Sequence, residues 1–135
     1  MGDLVAELKK EHAALIAILG EVKAKGVGSK EGQQKLDLAK KGLLGHLRKE
    51  DERLYPALQK AAEGDEKIKR MLDGFAAEMA EVSKAALAFF EKYATGGDGI
   101  EFARDFGRLS GALSARIRKE ETVLYAEYQR LCPAA

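Results

Sequence analysis

The sequence predicts an all-α protein, an up-down-up-down four-helix bundle assembled from two pseudo-repeated αα-hairpins. Three observations support this. Apolar residues recur at steps of three and four through four separate segments, as expected of helices buried along one side. Glycine-bearing breaks at Gly26–Gly28, Gly64–Asp65 and Gly96–Gly99 divide those segments, and glycine marks turns because it tolerates backbone angles other residues avoid. The second half of the chain also echoes the first: HLRKEDERLYP from His46 aligns with RIRKEETVLYA from Arg116, seventy positions on (116 − 46).

In the first segment the line runs Val5, Leu8, His12, Leu15, Leu19, Val22, with Asp3 placed as N-cap. The second carries Leu36, Ala39, Leu43, His46 and Glu50, continued by Leu54 and Leu58, and Ser29 is its cap. Pro56 lies within this segment and should bend the helix, or end its regular part, just after Tyr55, because proline has no N–H to donate. The third, capped by Asp65, runs Ile68, Leu72, Phe75, Met79, Val82, Ala86, Phe89, Tyr93. The fourth runs Phe102, Phe106, Leu109, Leu113, Arg116, Glu120, Val123. Short connections between such segments favour antiparallel neighbours packed at shallow angles.

The chain of 135 residues fits one domain, 1–135, with 46% hydrophobic and 33% charged residues, a balance that favours folding over disorder. A formal net charge of +1 gives no long-range pull on nucleic acid or an anionic membrane. The amphipathic opening MGDLVAELKKEHAALIAILG reads as neither a signal peptide nor a membrane span. Cys132 is the single cysteine; it cannot staple the fold and has no evident metal partner, so a reducing, cytoplasmic setting is expected. No nucleophile–base arrangement, phosphate loop or nucleotide motif is present.

Five members of the apolar lines are ionisable: His12, His46, Glu50, Arg116 and Glu120. Each falls near the middle of its helix. At about 1.5 Å of rise per residue, Glu50 and Met79 are each roughly 20 Å from the break between the second and third helices. His46–Glu50 and Arg116–Glu120 are i, i+4 pairs, so each projects from one face. All five, with Met79, should meet in one layer. Buried charges left unpaired are costly, so these groups must satisfy one another or hold an ion. A lone core histidine is more often a hydrogen-bonded residue than a ligand, and a methionine on such a line is ordinarily core filling. Two histidines and two carboxylates converging from three helices shift the balance towards a metal, because that set suits iron, manganese or zinc.

Within the repeat, Arg48, Lys49, Glu50, Leu54 and Tyr55 match Arg118, Lys119, Glu120, Leu124 and Tyr125, and LKKEHAAL around His12 faintly matches FAAEMAEV around Met79. Each half therefore contributes a single central residue and an i, i+4 pair. The KEHAAL segment, the second-helix histidine with its following acidic residues and LYP, and the fourth-helix EE followed by LY resemble the hemerythrin-like (HHE cation-binding) domains over nearly the whole chain. The resemblance implies a pair of irons, the first served by His12, His46, Glu50 and Glu120 with both carboxylates bridging. It also implies two histidines for the second iron, at the positions that Met79 and Arg116 occupy here.

A guanidinium stays protonated and cannot ligate a metal. Arg116 is therefore expected to bridge Glu50 and Glu120 as a built-in cation, leaving at most one metal ion per chain, iron before zinc or manganese. Three functions follow: a mononuclear metal protein for sensing, storage or regulation, rather than oxygen transport; a metal-free regulatory bundle closed by an Arg–Glu–His network; and, last, an enzyme of oxygen, peroxide or nitric oxide chemistry. The first ranks highest. The expected partner is the metal ion, not nucleic acid or membrane, and no protein partner is indicated.

Overall fold

A computed structural model describes residues 3–97 and 99–132. Among the described residues, four helical rods make up the bundle: α1 (Leu4–Lys25), α2 (30–61), α3 (Glu66–Lys92) and α4 (99–131). Each rod packs on its sequence neighbours, and α1 packs on α4 to close the ring. Asp3 caps α1 by accepting from the Val5 N–H, Ser29 caps α2 through Gly32, and Asp65 caps α3 through Lys67 and Ile68. Gly26 ends α1 at φ 74°, where a side chain would be strained. The third break contains Asp98, which lies outside the described residues.

The buried side chains form two apolar cores rather than one. Leu15, Leu19, Leu36, Leu43, Phe89 and Phe106 belong to the core nearer the Gly26 and Tyr93 turns. Leu4, Leu8, Leu54, Leu58, Leu72 and Tyr125 belong to the other. Between them, at mid-depth, lies the polar layer: His12, His46, Glu50, Arg116 and Glu120 are all buried, and Met79 with them. A leucine in either core, such as Leu19, is worth about 2–5 kcal/mol against alanine.

Both α2 and α4 contain a single wide π turn, Glu50–Leu54 and Glu120–Leu124. The N–H of Tyr55 reaches back to the Glu50 carbonyl, and that of Tyr125 to Glu120. This corrects the expectation for Pro56. The irregular turn precedes the proline, and regular helix resumes through it over Tyr55–Ala61. Because the same turn occurs in α4, where Ala126 takes the place of Pro56, the proline is not its cause. Pro56 falls in the first turn of the resumed helix, where its missing N–H costs little. The extra residue also corrects the fourth line: Val123 is 38% exposed, while Leu124 and Tyr125 are fully buried.

Candidate metal centre

His12 from α1, His46 and Glu50 from α2, and Glu120 from α4 each offer one ligand atom, and these atoms lie within 4.8 Å of one another. The two imidazole centroids are 4.5 Å apart. His12 places Nε2 3.1 Å from Glu120 Oε1, and His46 places Nε2 3.4 Å from Glu50 Oε2. Each ring is anchored from behind. His12 Nδ1 is 2.8 Å from Glu121 Oε2, and His46 Nδ1 is 2.8 Å from Glu11 Oε1. A carboxylate only accepts, so each Nδ1 donates, which fixes the tautomer and turns the Nε2 lone pair inward in the neutral ring.

Burial opposes charge on both members of the His46–Glu11 pair, but their neighbours more than offset it. His46 is held above its usual pKa by Glu50, then by Glu11 and Glu120. Glu11 is held below the usual carboxylate range by Lys49 and His46. Glu11 also accepts from Lys49, so this outer carboxylate is itself tied down.

Sequence reasoning passed over Tyr125 as a site residue. Its hydroxyl donates to Glu50 Oε2 at 2.6 Å, and its ring stacks on His12 with 5.6 Å between centroids. Five residues beyond Glu120, a regular helix would carry it about 140° away from that face; the π turn brings it inward. The signal lay in the repeat, where LY follows each glutamate at the same spacing. Burial, then Glu120 and Glu50, push the Tyr125 hydroxyl well above its ordinary pKa, so in the metal-free protein it is a neutral donor.

In the second half the arrangement differs. Arg116 Nη1 donates to Glu78 Oε2 at 2.9 Å and Nη2 to the Phe75 carbonyl at 2.7 Å, with the guanidinium 4.6 Å from the Phe75 ring centroid. Its Nε lies 3.6 Å from Glu120 Oε2. The expected bridge to Glu50 is therefore corrected: Arg116 meets Glu120 but spends its fork on α3. The Phe75 carbonyl and the Glu78 carboxylate present a matching pair of acceptors there, and a planar fork favours such a pair over one more distant oxygen.

Met79 lines a cavity of about 380 Å³ between α2 and α3, together with Glu50, Asp51 and Tyr55. Glu50 Oε1, Glu120 Oε2, Tyr55 Oη and Arg116 Nε are buried without a hydrogen-bond partner among the described residues. Burial, then Glu50 and Glu120, push the Tyr55 hydroxyl above its usual range, so it too is a neutral phenol.

The donor set of the first half therefore fits a cation. Two inward imidazole lone pairs and two buried carboxylates face one another, and each carboxylate has one oxygen that no hydrogen bond among the described residues satisfies. The second half offers a thioether and a guanidinium in place of ligands. Cys132 lies outside the group, its thiol 3.7 Å from the Ala57 carbonyl.

Paired αα-hairpins with a His₂–carboxylate₂ cluster at mid-depth define a helical bundle with a candidate cation site. The hemerythrin HHE cation-binding domain model matches residues 3–128, and the chain belongs to that family. No curated protein and no solved structure matches it. No helix among the described residues is long and apolar enough to cross a membrane.

Proposed function

We propose that this protein holds one metal ion per chain, iron, through His12, His46, Glu50 and Glu120. In this reading the second metal position of the family is lost to Met79 and Arg116, and the role is sensing, storage or regulation rather than oxygen transport. The convergence of four buried ligand atoms within 4.8 Å supports it most directly. Both imidazoles are already oriented by outer carboxylates, the support that metal-bound histidines commonly receive. A bound iron would supply Lewis acidity and one-electron redox chemistry. The chain's own contribution is to hold the ligands in a dry core and to set a permanent cation, Arg116, beside Glu120. The cytoplasmic setting expected from the lone Cys132 belongs to the same proposal.

A rival reading is a regulatory bundle that works without metal. It is favoured by the hydrogen bond from Tyr125 to Glu50 and by the ion pair of Arg116 with Glu78, which partly close the layer with no ion. Elemental analysis separates the two. Protein made without an affinity tag under iron-replete conditions should carry close to one iron per chain, and His46→Ala should carry little. Two tightly held ions in the natural chain would refute the one-metal reading, whereas no metal at saturation would favour the closed network.

A further inference from the structure

The position of Tyr125 carries an inference that rests on the one-metal reading and deepens it. Its hydroxyl oxygen lies 2.6 Å from Glu50 Oε2, 3.3 Å from Glu120 Oε1, 3.3 Å from His12 Nε2 and 3.5 Å from His46 Nε2. It thus touches all four candidate ligand atoms at once. A phenol has one hydrogen to donate, and here four lone-pair atoms compete for it. Adjacent ligands at right angles around one ion, each bonded at about 2.0–2.2 Å, lie about 3 Å apart. The Tyr125 oxygen keeps close to that spacing from every other member of the set.

We infer that Tyr125 is a fifth ligand of the ion, and that the site it completes favours ferric iron over zinc or divalent manganese. Two carboxylates already balance a divalent cation. A phenolate adds a third anionic oxygen, which a trivalent ion needs and a divalent one does not, and hard oxygen donors suit a hard, highly charged metal. On coordination the phenolic O–H bond breaks and an O–Fe bond forms. The proton leaves to the buffer, and an iron supplied as Fe(III) keeps its oxidation state.

The chain also fixes which of its two repeat-related tyrosines can act. Tyr125 is fully buried and stacked on His12. Tyr55 holds the corresponding place after the other π turn, but it lines the cavity beside Met79, where the matching ligands are absent. The ligand role belongs to Tyr125 alone.

Metal-free protein loaded with ferric citrate tests this by its colour. One iron per chain should bring a visible phenolate-to-iron(III) charge-transfer band with tyrosinate modes in resonance Raman spectra, and zinc-loaded protein should stay colourless. Tyr125→Phe should still take up iron, at least about 10-fold more weakly since even outer-shell changes cost that much, and lose the band. Tyr55→Phe should keep it. A one-iron natural protein without the band overturns the inference and leaves the metal reading standing. So does a Tyr125→Phe variant that binds Fe(III) as tightly as the natural chain or more tightly, which would mean the hydroxyl only blocks the site. A natural protein that takes up no iron overturns both. The natural protein's spectrum needs no variant, so a misfolded substitution does not leave the question open.

Discussion

The two halves of the bundle keep one outer frame around different centres. In the first half Glu11 of α1 accepts from His46 and Lys49 of α2; in the second, Glu78 of α3 accepts from Arg116 and Lys119 of α4. The carboxylate, the residue it steadies and the lysine three positions on are retained. What changes is the work of that carboxylate. Beside His46 it orients a ring whose other nitrogen faces inward, whereas beside Arg116 it neutralises a cation. On the proposed reading, a metal-site scaffold keeps its supporting shell while a ligand position passes to a group that supplies positive charge itself.

Supplying imidazoles to the second half is the strongest way to break this comparison. Met79→His with Arg116→His returns imidazoles to both altered positions, and Glu78 is already placed to anchor the new α4 ring. Iron stoichiometry should rise from one towards two per chain, measured by elemental analysis. A value still at one would show that two imidazoles do not complete a second site there.

Next in size is Arg116→Ala. It leaves the buried Glu120 without its fixed cation and takes the second, side-chain donor from the Phe75 carbonyl. The metal-free bundle should lose about 3–5 kcal/mol, read from urea denaturation, and iron should recover part of that loss by binding the folded state. A loss below about 1 kcal/mol would mean that the guanidinium is not the second half's central charge.

The outer carboxylates sharpen the contrast further. Glu11→Gln weakens the hold on the His46 ring and should lower iron affinity about 10- to 100-fold, whereas Glu78→Gln should leave it nearly unchanged. Equal effects in a competition titration would argue against one loaded half.

The smallest expected effect separates the tyrosines. Tyr55 buries a hydroxyl that has no partner among the described residues, so Tyr55→Phe should be neutral or stabilising by up to about 1 kcal/mol. Tyr125→Phe removes the hydrogen bond to Glu50 and should cost the metal-free protein about 1–3 kcal/mol. Thermal melts of both variants give the comparison, and the reverse order would be evidence against it.

Much of this organisation was legible in the sequence because it rests on periodicity. The four lines of three-four spacing, the glycine breaks and the caps at Asp3, Ser29 and Asp65 need only local rules. The polar layer followed from counting residues back to the breaks. The π turns did not, because neither EDERL nor EETVL has a composition that calls for one. They form where the bundle buries the glutamate and, one residue further round than a regular helix allows, the side chains that follow it. That is why Val123 was placed inside although Leu124 matches Leu54 in the repeat, and why Tyr125 was missed. The direction of Arg116 was hidden for a different reason. Its second acceptor is the main-chain carbonyl of Phe75 on a neighbouring helix, and no side-chain pattern announces a carbonyl.

The added residue in each π turn gives these segments one residue of slack in their register. Beyond the turn, every side chain is rotated by about 100° relative to a straight helix, and this brings Leu124 and Tyr125 inside. Removing one exposed residue from the turn, such as Thr122, would alter no contact of the four candidate ligands directly. It would place Tyr125 four residues beyond Glu120, a spacing at which a regular helix keeps both on one face, so the turn would close to α-helix with the Tyr125 ring still in the layer. The turn behaves like slack in a rope: one deleted residue is taken up on the spot, and only a second is read all the way to the helix end.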